Sequence, residues 1–588
     1  MRLGRAVKAP TGERHDPVPP PVAAGPGPSN RPRLGDLLVE RAGVTKDQVA
    51  EAMLLRATSD KRLGTLLVDL GVIDERQLTE ALSAQLGLPL ADLGQRTPEP
   101  EAVALLSDSL ARGLTAVPLR IAEDGILEVA VADQADHLVD ELEKATGRQV
   151  RLLLAPPTEI RHVLDSTYRA LAGVEEQVAA FAAGQDKRPA QTSIGATTAG
   201  GVEAPVVQVV DKLITQALRD RASDVHIEPQ DDQLRVRFRI DGALHEVVTL
   251  PGAMAGAIAS RLKIMGNMNI VERRRPQDGQ IAMTIDGRAI DIRVATTGTV
   301  WGEKVVLRLL DKSRPLFKLG DLGMPPDTHR DYSALVRSPY GMVICVGPTG
   351  SGKTTTLYAS MSEINSVERN ITTIEDPVEY VFPSINQIQI NEQAGVTFAA
   401  GLRSILRQDP DVILVGEIRD TETARIAVQS ALTGHFVLSS LHATDAVSAL
   451  YRFLDMGIEA FLLASSVLAI VGQRLIRRTC GYCKVPHTLS AEEAAFYEQA
   501  GGKATQFWAG EGCNLCSQTG YIDRVGVYEL LKVTVQMREL IVAPNPSHED
   551  MRRLAVSQGM RSLRDEAIHL VDEGVTTVAE VVRTIYTL

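Results

Sequence analysis

Aromatic residues are scarce in this sequence, at 4% of 588 residues, although 44% of all residues are hydrophobic. Its cores must therefore be built from Leu, Val, Ile and Ala. The interleaving of aromatic and basic residues that is typical of single-stranded nucleic-acid binders is missing. The formal net charge is −12, which also argues against bulk binding of nucleic acid. We therefore expect no nucleic-acid partner.

Long apolar runs are missing as well. The best candidate, residues 460–472, is too short to span a membrane and contains Ser465 and Ser466, so we interpret it as a buried helix. The N-terminus lacks the apolar core of a signal peptide. We expect a cytoplasmic protein without a membrane span, which is peripheral at the inner face of the cell membrane through partners.

Cysteine is rare, with five residues in the chain, and four of them form two CxxC pairs: Cys480 with Cys483, and Cys513 with Cys516. Each CxxC turn can present two thiolates to one metal ion, so two turns complete a tetrahedron. The pattern predicts a structural Zn²⁺ site; a redox dithiol or unliganded thiols are the alternatives. Cys345 lies in an apolar segment and is expected in a core.

A glycine-rich loop is the most informative motif that is present. It lies between an apolar segment, 342–346, and a helix-compatible segment that begins at residue 355. This is the setting of a P-loop, in which backbone N–H groups and a helix N-terminus bind phosphate. We expect Lys353 to reach the β- and γ-phosphates of ATP and Thr354 to bind Mg²⁺. The predicted nucleotide-binding residues are Gly347, Pro348, Thr349, Gly350, Ser351, Gly352, Lys353, Thr354 and Thr355.

Three later segments place polar residues at the ends of apolar runs. The residues are Glu375, Asp376 and Glu379 after the first run, Glu417 after the second, and His435 and His442 around the third. In parallel sheets, nucleotides bind at the carboxyl ends of the strands, so we expect these side chains beside the nucleotide. Which of the three carboxylates in the first group activates water stays open.

Composition divides the chain into five regions. The predicted regions are a disordered Pro-rich tail (1–32), an N-terminal module (33–170), a flexible linker rich in Ala and Gly (171–203), an α+β domain (204–315) and a P-loop domain (316–588) with a cysteine insertion at about 478–520 and C-terminal helices.

Two features inside these regions stand out. In the N-terminal module, the segment that begins at Arg33 recurs 29 residues later at Arg62, which predicts two helix pairs that need each other to bury their apolar faces. In the α+β domain, residues 234–239 alternate apolar residues with arginine, so the arginines share one face of a strand. A solvated sheet surface is the ordinary interpretation, and contact with phosphate is the alternative.

Together these motifs resemble the secretion ATPases that drive type II secretion and type IV pilus assembly, over residues 33–588. The matching motifs are the Walker A loop (347–354), the aspartate box (375–379), the Walker B element (416–417), the histidine box (434–435 and 442), two motifs of the preceding domain (223–229 and 237–242) and the four cysteines. The cysteine motif is similar to that of the assembly and export branch.

The resemblance implies a multidomain α/β fold. It consists of a RecA-like P-loop ATPase domain, a preceding α+β, PAS-like domain and a small helical and α+β N-terminal module. It also implies a homo-hexamer that holds ATP between 204–315 and 316–588 and acts on an inner-membrane platform protein. Glu379 would polarise the attacking water, Glu417 would support the Mg²⁺ shell, and His442 would sense the γ-phosphate. The candidates for γ-phosphate contact are Arg237, Arg239, Arg293 and Arg308.

The repeat resembles a module that binds cyclic di-GMP in some members of that family. The matching residues are Arg33, Leu34, Gly35, Arg62, Leu63, Gly64 and Gln85. The first copy departs from the motif, with Ala42 in place of Gly and Arg56 in place of the terminal Gln. A helical docking module for a membrane partner is the alternative.

Three functions compete at this point. A motor ATPase is favoured over a nucleotide- or cyclic di-GMP-sensing regulator with incidental ATPase activity, because the catalytic set is complete. A nucleic-acid translocase is disfavoured by the acidic charge. Pilus assembly and type II secretion share every motif quoted.

Overall fold

The structure, a computed structural model, describes residues 32–56, 59, 61–133, 137–185, 203–311, 318–544 and 547–585. The chain divides into two compact units, Met1–Thr167 and Tyr168–Leu588. The predicted Pro-rich tail lies outside the described residues except for Pro32, as do residues 186–202 of the predicted linker. Among the helices of these ranges, none combines the length and apolarity that crossing a membrane requires.

The N-terminal unit combines the helical repeat with a three-stranded sheet. Its elements are α1 (Leu34–Arg41), α2 (Lys46–Arg56), α3 (Leu63–Asp69), α4 (Glu75–Leu86), α5 (Pro100–Val103), α6 (Asp108–Leu114), β1 (Ala116–Ile121), β2 (Leu127–Val131), α7 (Leu138–Thr146), β3 (Val150–Leu154) and α8 (Pro157–Thr167). Helix α1 contacts α4, and α2 contacts α3. Each repeat copy therefore covers the apolar face of the other, around the fully buried Leu38 and Leu67.

The C-terminal unit begins with a six-stranded sheet and its helices. They are α9 (Val174–Gln185), α10 (Glu203–Arg219), β4 (Asp224–Gln230), β5 (Gln233–Ile240), β6 (Ala243–Pro251), α11 (Ala255–Met265), β7 (Gln277–Ile285), β8 (Arg288–Thr299) and β9 (Gly302–Asp311). The strand order is β6-β5-β4-β9-β8-β7, and every neighbouring pair is antiparallel.

Part of the predicted flexible linker is instead a helix. Residues 174–185 form α9, which contacts α10. Val174 and Phe181 are buried in the same core as Val209. The Ala-rich composition that we interpreted as flexible is equally compatible with a helix, and a few apolar contacts decide in favour of the helix.

The P-loop domain is built around a seven-stranded, mostly parallel sheet. Its elements are α12 (Pro326–Val336), β10 (Gly341–Val346), α13 (Lys353–Ile364), β11 (Ile371–Glu375), β12 (Asn386–Gln389), α14 (Phe398–Ile405), β13 (Val412–Val415), α15 (Thr421–Leu432), β14 (Phe436–Leu441), α16 (Ala446–Asp455), α17 (Ala460–Ser466), β15 (Val467–Thr479), β16 (Lys484–His487), α18 (Ala491–Gln499), β17 (Phe507–Gly510), β18 (Tyr521–Lys532), α19 (Val535–Val542), α20 (His548–Ser557), α21 (Leu563–Asp572) and α22 (Val578–Ile585). The strand order is β12-β11-β13-β14-β10-β15-β18.

The central strands β10, β13 and β14 are buried along their whole length. Two separate apolar clusters lie against the sheet, and their residues alternate along β10: Ile344 belongs to one and Cys345 to the other. The sequences of strands that are covered on both faces are nearly continuous apolar runs, as in these three strands. The core position expected for Cys345 is confirmed.

We interpreted the apolar run 460–472 as one buried helix, and this interpretation is wrong for the second half of the run. Residues 460–466 form α17, but Val467 starts β15, which pairs in parallel with β10. Periodicity cannot separate a buried strand from a buried helix. The β-branched Ile470 and Val471 favour the strand, and the free edge of β10 provides its partner.

Candidate active site

The P-loop joins the buried strand β10 to helix α13. Gly352 has a φ of 90° and Gly347 a φ of 152°, angles that favour glycine. A Cβ atom on Gly347 would lie 2.5 Å from Ser351 Oγ and 2.6 Å from the carbonyl oxygen of Gln473. Gly347 is therefore required by the close approach of the loop to strand β15.

Lys353 is the first residue of α13, and its side chain turns back over the loop. Its Nζ donates to the carbonyl oxygens of Gly347 at 2.9 Å and Pro348 at 3.0 Å. Burial lowers the pKa of Lys353, and nearby acidic groups that include Glu417 partly offset this effect. Thr354 follows in the first turn of α13 and is half-buried. The loop thus presents a helix N-terminus and a cation to one point, which suits phosphate.

Glu375, Glu417 and His442 lie at one edge of the sheet, because each is at or just beyond the end of a strand in the parallel set with β10. His442 Nε2 lies 3.3 Å from Glu417 Oε2. Arg419 forms a second ion pair with Glu417 and lies 3.4 Å from Asp376 Oδ2. The structure therefore brings the predicted Walker B, aspartate-box and histidine-box residues to one edge.

His435 does not belong to this group. It precedes β14, so it lies at the opposite end of that strand from His442. Its Nδ1 is 3.0 Å from the carbonyl oxygen of Ser430. Grouping it with the nucleotide site was wrong, because it lies before the strand's amino end.

The carboxylate of Glu375 is committed to neighbours within the domain. Tyr358 OH donates to Glu375 Oε2, Thr373 Oγ1 donates to Oε1 at 2.5 Å, and Gln387 Nε2 donates to Oε1 at 3.3 Å. Only 3% of Glu375 is exposed. Its oxygens are therefore engaged in holding β11, α13 and β12 together.

Glu379 has a different environment. Burial raises the pKa of its carboxyl group, and the positive charges of Arg293 and Arg308 partly oppose that rise. Both arginines belong to the preceding antiparallel sheet. The positive charges that act on this carboxylate therefore come from another domain of the same chain.

Arg239, Asp224, Arg308 and Arg293 form one row across strands β5, β4, β9 and β8. Asp224 pairs with Arg308 Nε at 3.0 Å and with Arg239 Nε at 3.7 Å. Burial lowers the pKa of Arg293, and the charge of Glu379 partly offsets this effect. The carboxylates whose charges act on Arg293 include Glu379 and Asp376 of the P-loop domain.

Arg237 lies in a separate cluster. Its Nε and Nη2 donate to Glu228 at 2.8 and 3.0 Å, and Lys304 Nζ is 2.9 Å from Glu228. Burial would raise the pKa of Glu228, but hydrogen bonds from Arg237 and Lys304 lower it to about 2. Arg237, one of the four arginine candidates, is thus paired with Glu228, a carboxylate of its own sheet.

Sequence reasoning missed several residues at this edge. They are Tyr358, which contacts Glu375; Arg419, which bridges two acidic segments; and Gln473 and Arg474, which lie beside the P-loop. Gln473 and Arg474 follow an apolar run, as do the site residues that the sequence did predict. Interpreting that run as a helix concealed this signal.

The four clustered cysteines meet in space. Their Sγ atoms lie within 4.8 Å of one another, with Cys480 and Cys513 at 3.8 Å and Cys483 and Cys516 at 3.9 Å. A tetrahedron with metal–sulfur bonds of about 2.3 Å has edges of about 3.8 Å. Hydrogen bonds, first from Cys480, lower the pKa of Cys516. The donor set therefore fits a tetrahedral, thiophilic metal ion.

In the N-terminal unit, both copies of the repeat motif start a helix. Arg33 and Arg62 are extended residues just before α1 and α3. A Cβ atom on Gly64 would lie 2.4 Å from Leu78 Cδ1, so this glycine permits helix packing. Arg62 forms an ion pair with Asp133. Gln85, the remaining motif residue, lies in α4, and its Nε2 donates to the carbonyl oxygen of Pro32 at 2.9 Å.

The strand order defines the class of protein. One strand, β14, separates the P-loop strand β10 from β13, which precedes Glu417. With the P-loop, this order defines a RecA-like P-loop ATPase domain, and the mixed α/β fold predicted from the sequence is confirmed.

Comparison with known proteins shows which sequences and structures this chain is similar to. Residues 201–583 match the family described as Type II/IV secretion system protein, and residues 86–174 match the MshEN domain. The Type IV pilus assembly ATPase PilB of Myxococcus xanthus is 40% identical over 94% of this chain and 98% of its own length. The Type II secretion system protein HxcR of Pseudomonas aeruginosa is 49% identical over 65% of this chain and 77% of its own. The solved DotB ATPase of Legionella pneumophila is 20% identical, with a TM-score of 0.48, over 63% of this chain and 94% of that one.

The chain belongs to the type II/IV secretion system protein family, and it is an ATP-hydrolysing enzyme of that family. The family predicted from the sequence motifs is confirmed.

Proposed function

We propose that this chain is the subunit of a homo-hexameric motor at the cytoplasmic face of the inner membrane. The motor hydrolyses ATP to extend a type IV pilus or a type II secretion pseudopilus, and its partner is an inner-membrane platform protein. The observation that carries the proposal is that the P-loop, Glu417 and His442 meet at one edge of the sheet of the P-loop domain, which follows the domain of the antiparallel sheet in the chain. Closure around ATP can then change the angle between these domains, which is the movement a motor requires.

The proposed chemistry is in-line attack of water on the γ-phosphorus. Mg²⁺, bound through Thr354, would neutralise charge on the β- and γ-phosphates. Lys353 would leave the loop carbonyls to contact the same oxygens. Glu417 would hold the water shell of the ion, and His442, 3.3 Å from Glu417, would report on the γ-phosphate.

Among the aspartate-box carboxylates, we assign the water-activating role to Glu379. Glu375 is engaged by three side-chain donors, and Asp376 is exposed and pairs with Arg419. Burial raises the pKa of Glu379 towards the range of a general base.

Glu379→Gln is expected to lower kcat by about 10²–10⁴-fold. The raised pKa means that the native carboxyl group still holds a proton at a pH where the unfolded chain has lost it. Its contribution to stability therefore falls as pH rises above the ordinary value of 4.5. At pH 7 the variant should melt no lower than the wild type, and the acid limb of the wild-type kcat/KM profile should lie above pH 4.5.

Glu375→Gln is the matched control, because it replaces a hydrogen-bonded carboxylate of the same segment. It should lower the melting temperature, since Tyr358 and Thr373 lose a charged acceptor. Turnover of Glu379→Gln within about tenfold of the wild type would assign the base elsewhere.

We propose Zn²⁺ as the metal of the cysteine cluster, with a structural role because the protein supplies all four ligands. A Cys480→Ser, Cys513→Ser double variant should lose zinc by elemental analysis and exchange amide hydrogens faster in β16 and β17, while ATP affinity is retained. Pilus or secretion function should fall. The control variant Cys345→Ala changes a cysteine outside the cluster, so it should retain the zinc of the cluster. Full function of the double variant without metal would show that the metal is not required.

We also propose that the N-terminal unit binds cyclic di-GMP through its two repeat motifs. The MshEN match supports a module of this kind in the unit; it covers residues 86–174, which follow the motifs at Arg33 and Arg62. Arg62 would have to exchange Asp133 for a phosphate. Isothermal titration with the full-length protein tests this, with Arg62→Ala as the variant and Arg76→Ala, an exposed arginine of α4, as the control. Equal binding by both variants would exclude the motif.

The motor itself is tested in cells with Lys353→Ala. At normal protein levels, this variant should abolish pilus assembly or secretion. Survival of that function would favour the alternative, a sensing regulator with incidental ATPase activity.

A further inference from the structure

Strand β15 passes beside the P-loop and carries two buried polar residues that the proposed chemistry does not use. Gly472 is the parallel partner of Val346, the last residue of β10, so Gln473 and Arg474 come to the sheet edge where the P-loop starts. Their exposed fractions are 1% and 5%. An arginine is rarely buried to this degree without specific partners.

Gln473 supports the P-loop from the neighbouring strand β15. Its Nε2 donates to the carbonyl oxygen of Ser351 at 2.6 Å. Its own carbonyl oxygen lies where a Cβ on Gly347 would approach to 2.6 Å. Gln473 therefore contacts the loop near both of its ends, with its main-chain oxygen beside Gly347 and its side chain at Ser351.

Arg474 joins this support to a second segment of the site. Its Nη1 donates to the carbonyl oxygen of Gln473 at 3.0 Å, and its Nη2 donates to the carbonyl oxygen of Thr444 at 2.7 Å. Thr444 lies two residues after His442. One guanidinium thus connects the main chain under the P-loop with the main chain that carries the histidine.

Two carboxylates complete the surroundings of Arg474. Burial lowers its pKa, and the charges of Glu529 and Asp445 oppose that effect. Glu529 Oε1 accepts a hydrogen bond from the N–H of Ala446 at 2.8 Å. The segment 444–446 is therefore held by Arg474 at Thr444 and by Glu529 at Ala446.

We propose that Arg474 is a positioning residue for ATP hydrolysis, which fixes the segment that carries His442 relative to the P-loop. When the γ-phosphate shifts the P-loop or the segment that carries His442, Arg474 then transmits that movement to the other of the two. The inference rests on the proposed role of His442. Lysine cannot replace Arg474, because an ammonium group lacks the planar fork that reaches two separate carbonyl oxygens.

Arg474→Lys tests the proposal while it retains the charge. We expect kcat to fall by about 10–100-fold and KM for ATP to stay within a factor of about three. Hydrogen exchange of residues 441–446 should become faster. The matched control is Arg477→Lys on the same strand, because Arg477 pairs with Glu580 at 2.7 Å, outside the site. It should lower stability without changing kcat.

Gln473→Leu is the second variant, in case Arg474→Lys folds poorly. It removes the contact with Ser351 but leaves Arg474, so we expect KM to rise by about tenfold and kcat to change little. Wild-type kcat in Arg474→Lys would overturn the proposal. Equal losses of kcat and melting temperature in the Arg474 and Arg477 variants would overturn it too. If the wild-type protein did not hydrolyse ATP, the proposed function would fail, and the exchange of 441–446 would still test the connection.

Discussion

Glycine and a basic residue stand together at helix starts in both units, but they serve different physical purposes. In the C-terminal unit, Gly347 and Gly352 adopt positive φ angles that let the P-loop curl. In the N-terminal unit, Gly64 lies inside helix α3, and what matters is the absent Cβ, which leaves room for Leu78. The same pairing of a glycine with a basic residue therefore depends on positive backbone angles in the P-loop and on the room for a neighbouring helix in the repeat.

The largest expected difference between these regions is in turnover. Gly347→Ala should lower ATP turnover by at least about 100-fold, because the new Cβ meets Ser351 and Gln473 and displaces the loop. Gly64→Ala, in the other unit, should leave turnover unchanged. Steady-state kinetics at equal protein concentration checks both. Equal losses in the two variants would mean that the N-terminal unit controls the chemistry.

A smaller effect is expected in stability. Gly64→Ala should destabilise the repeat helices by about 1–3 kcal/mol, because the Cβ would lie 2.4 Å from Leu78 Cδ1. Faster hydrogen exchange in α3 and α4 of the full-length chain would report this change. A compensating Leu78→Ala substitution should restore part of the protection. Failure of that rescue would contradict the packing explanation.

The smallest effect is expected in the first copy of the repeat. A Cβ on Gly35 would lie 3.2 Å from Val49 Cγ1, a contact that a small shift relieves. Alanine also favours a helix over glycine by about 1 kcal/mol. Gly35→Ala should therefore change the stability of α1 and α2 by less than about 1 kcal/mol in either direction. A loss as large as that of Gly64→Ala would show that the two copies pack alike.

The Glu375 and Glu379 carboxylates of the aspartate box show how far sequence reasoning reaches. The sequence placed Glu375 and Glu379 at the end of one strand, and the structure agrees. It did not separate their roles, because the donors to Glu375 come from three elements and the cations near Glu379 come from another domain. Arg237 and Arg293 could not be distinguished either, since both alternate correctly along their strands.

The local pattern by itself determined the P-loop, the parallel strands that follow it, the cysteine cluster and the helical repeat. Each depends on residues close in sequence or on a spacing that one turn or one strand imposes. Tertiary structure alone decided that residues 467–471 form a strand, that residues 174–185 form a helix, and that Arg474 connects the main chain of Gln473 with the segment after His442. These outcomes depend on partners supplied by distant parts of the chain, and burial against such a partner outweighs local preference.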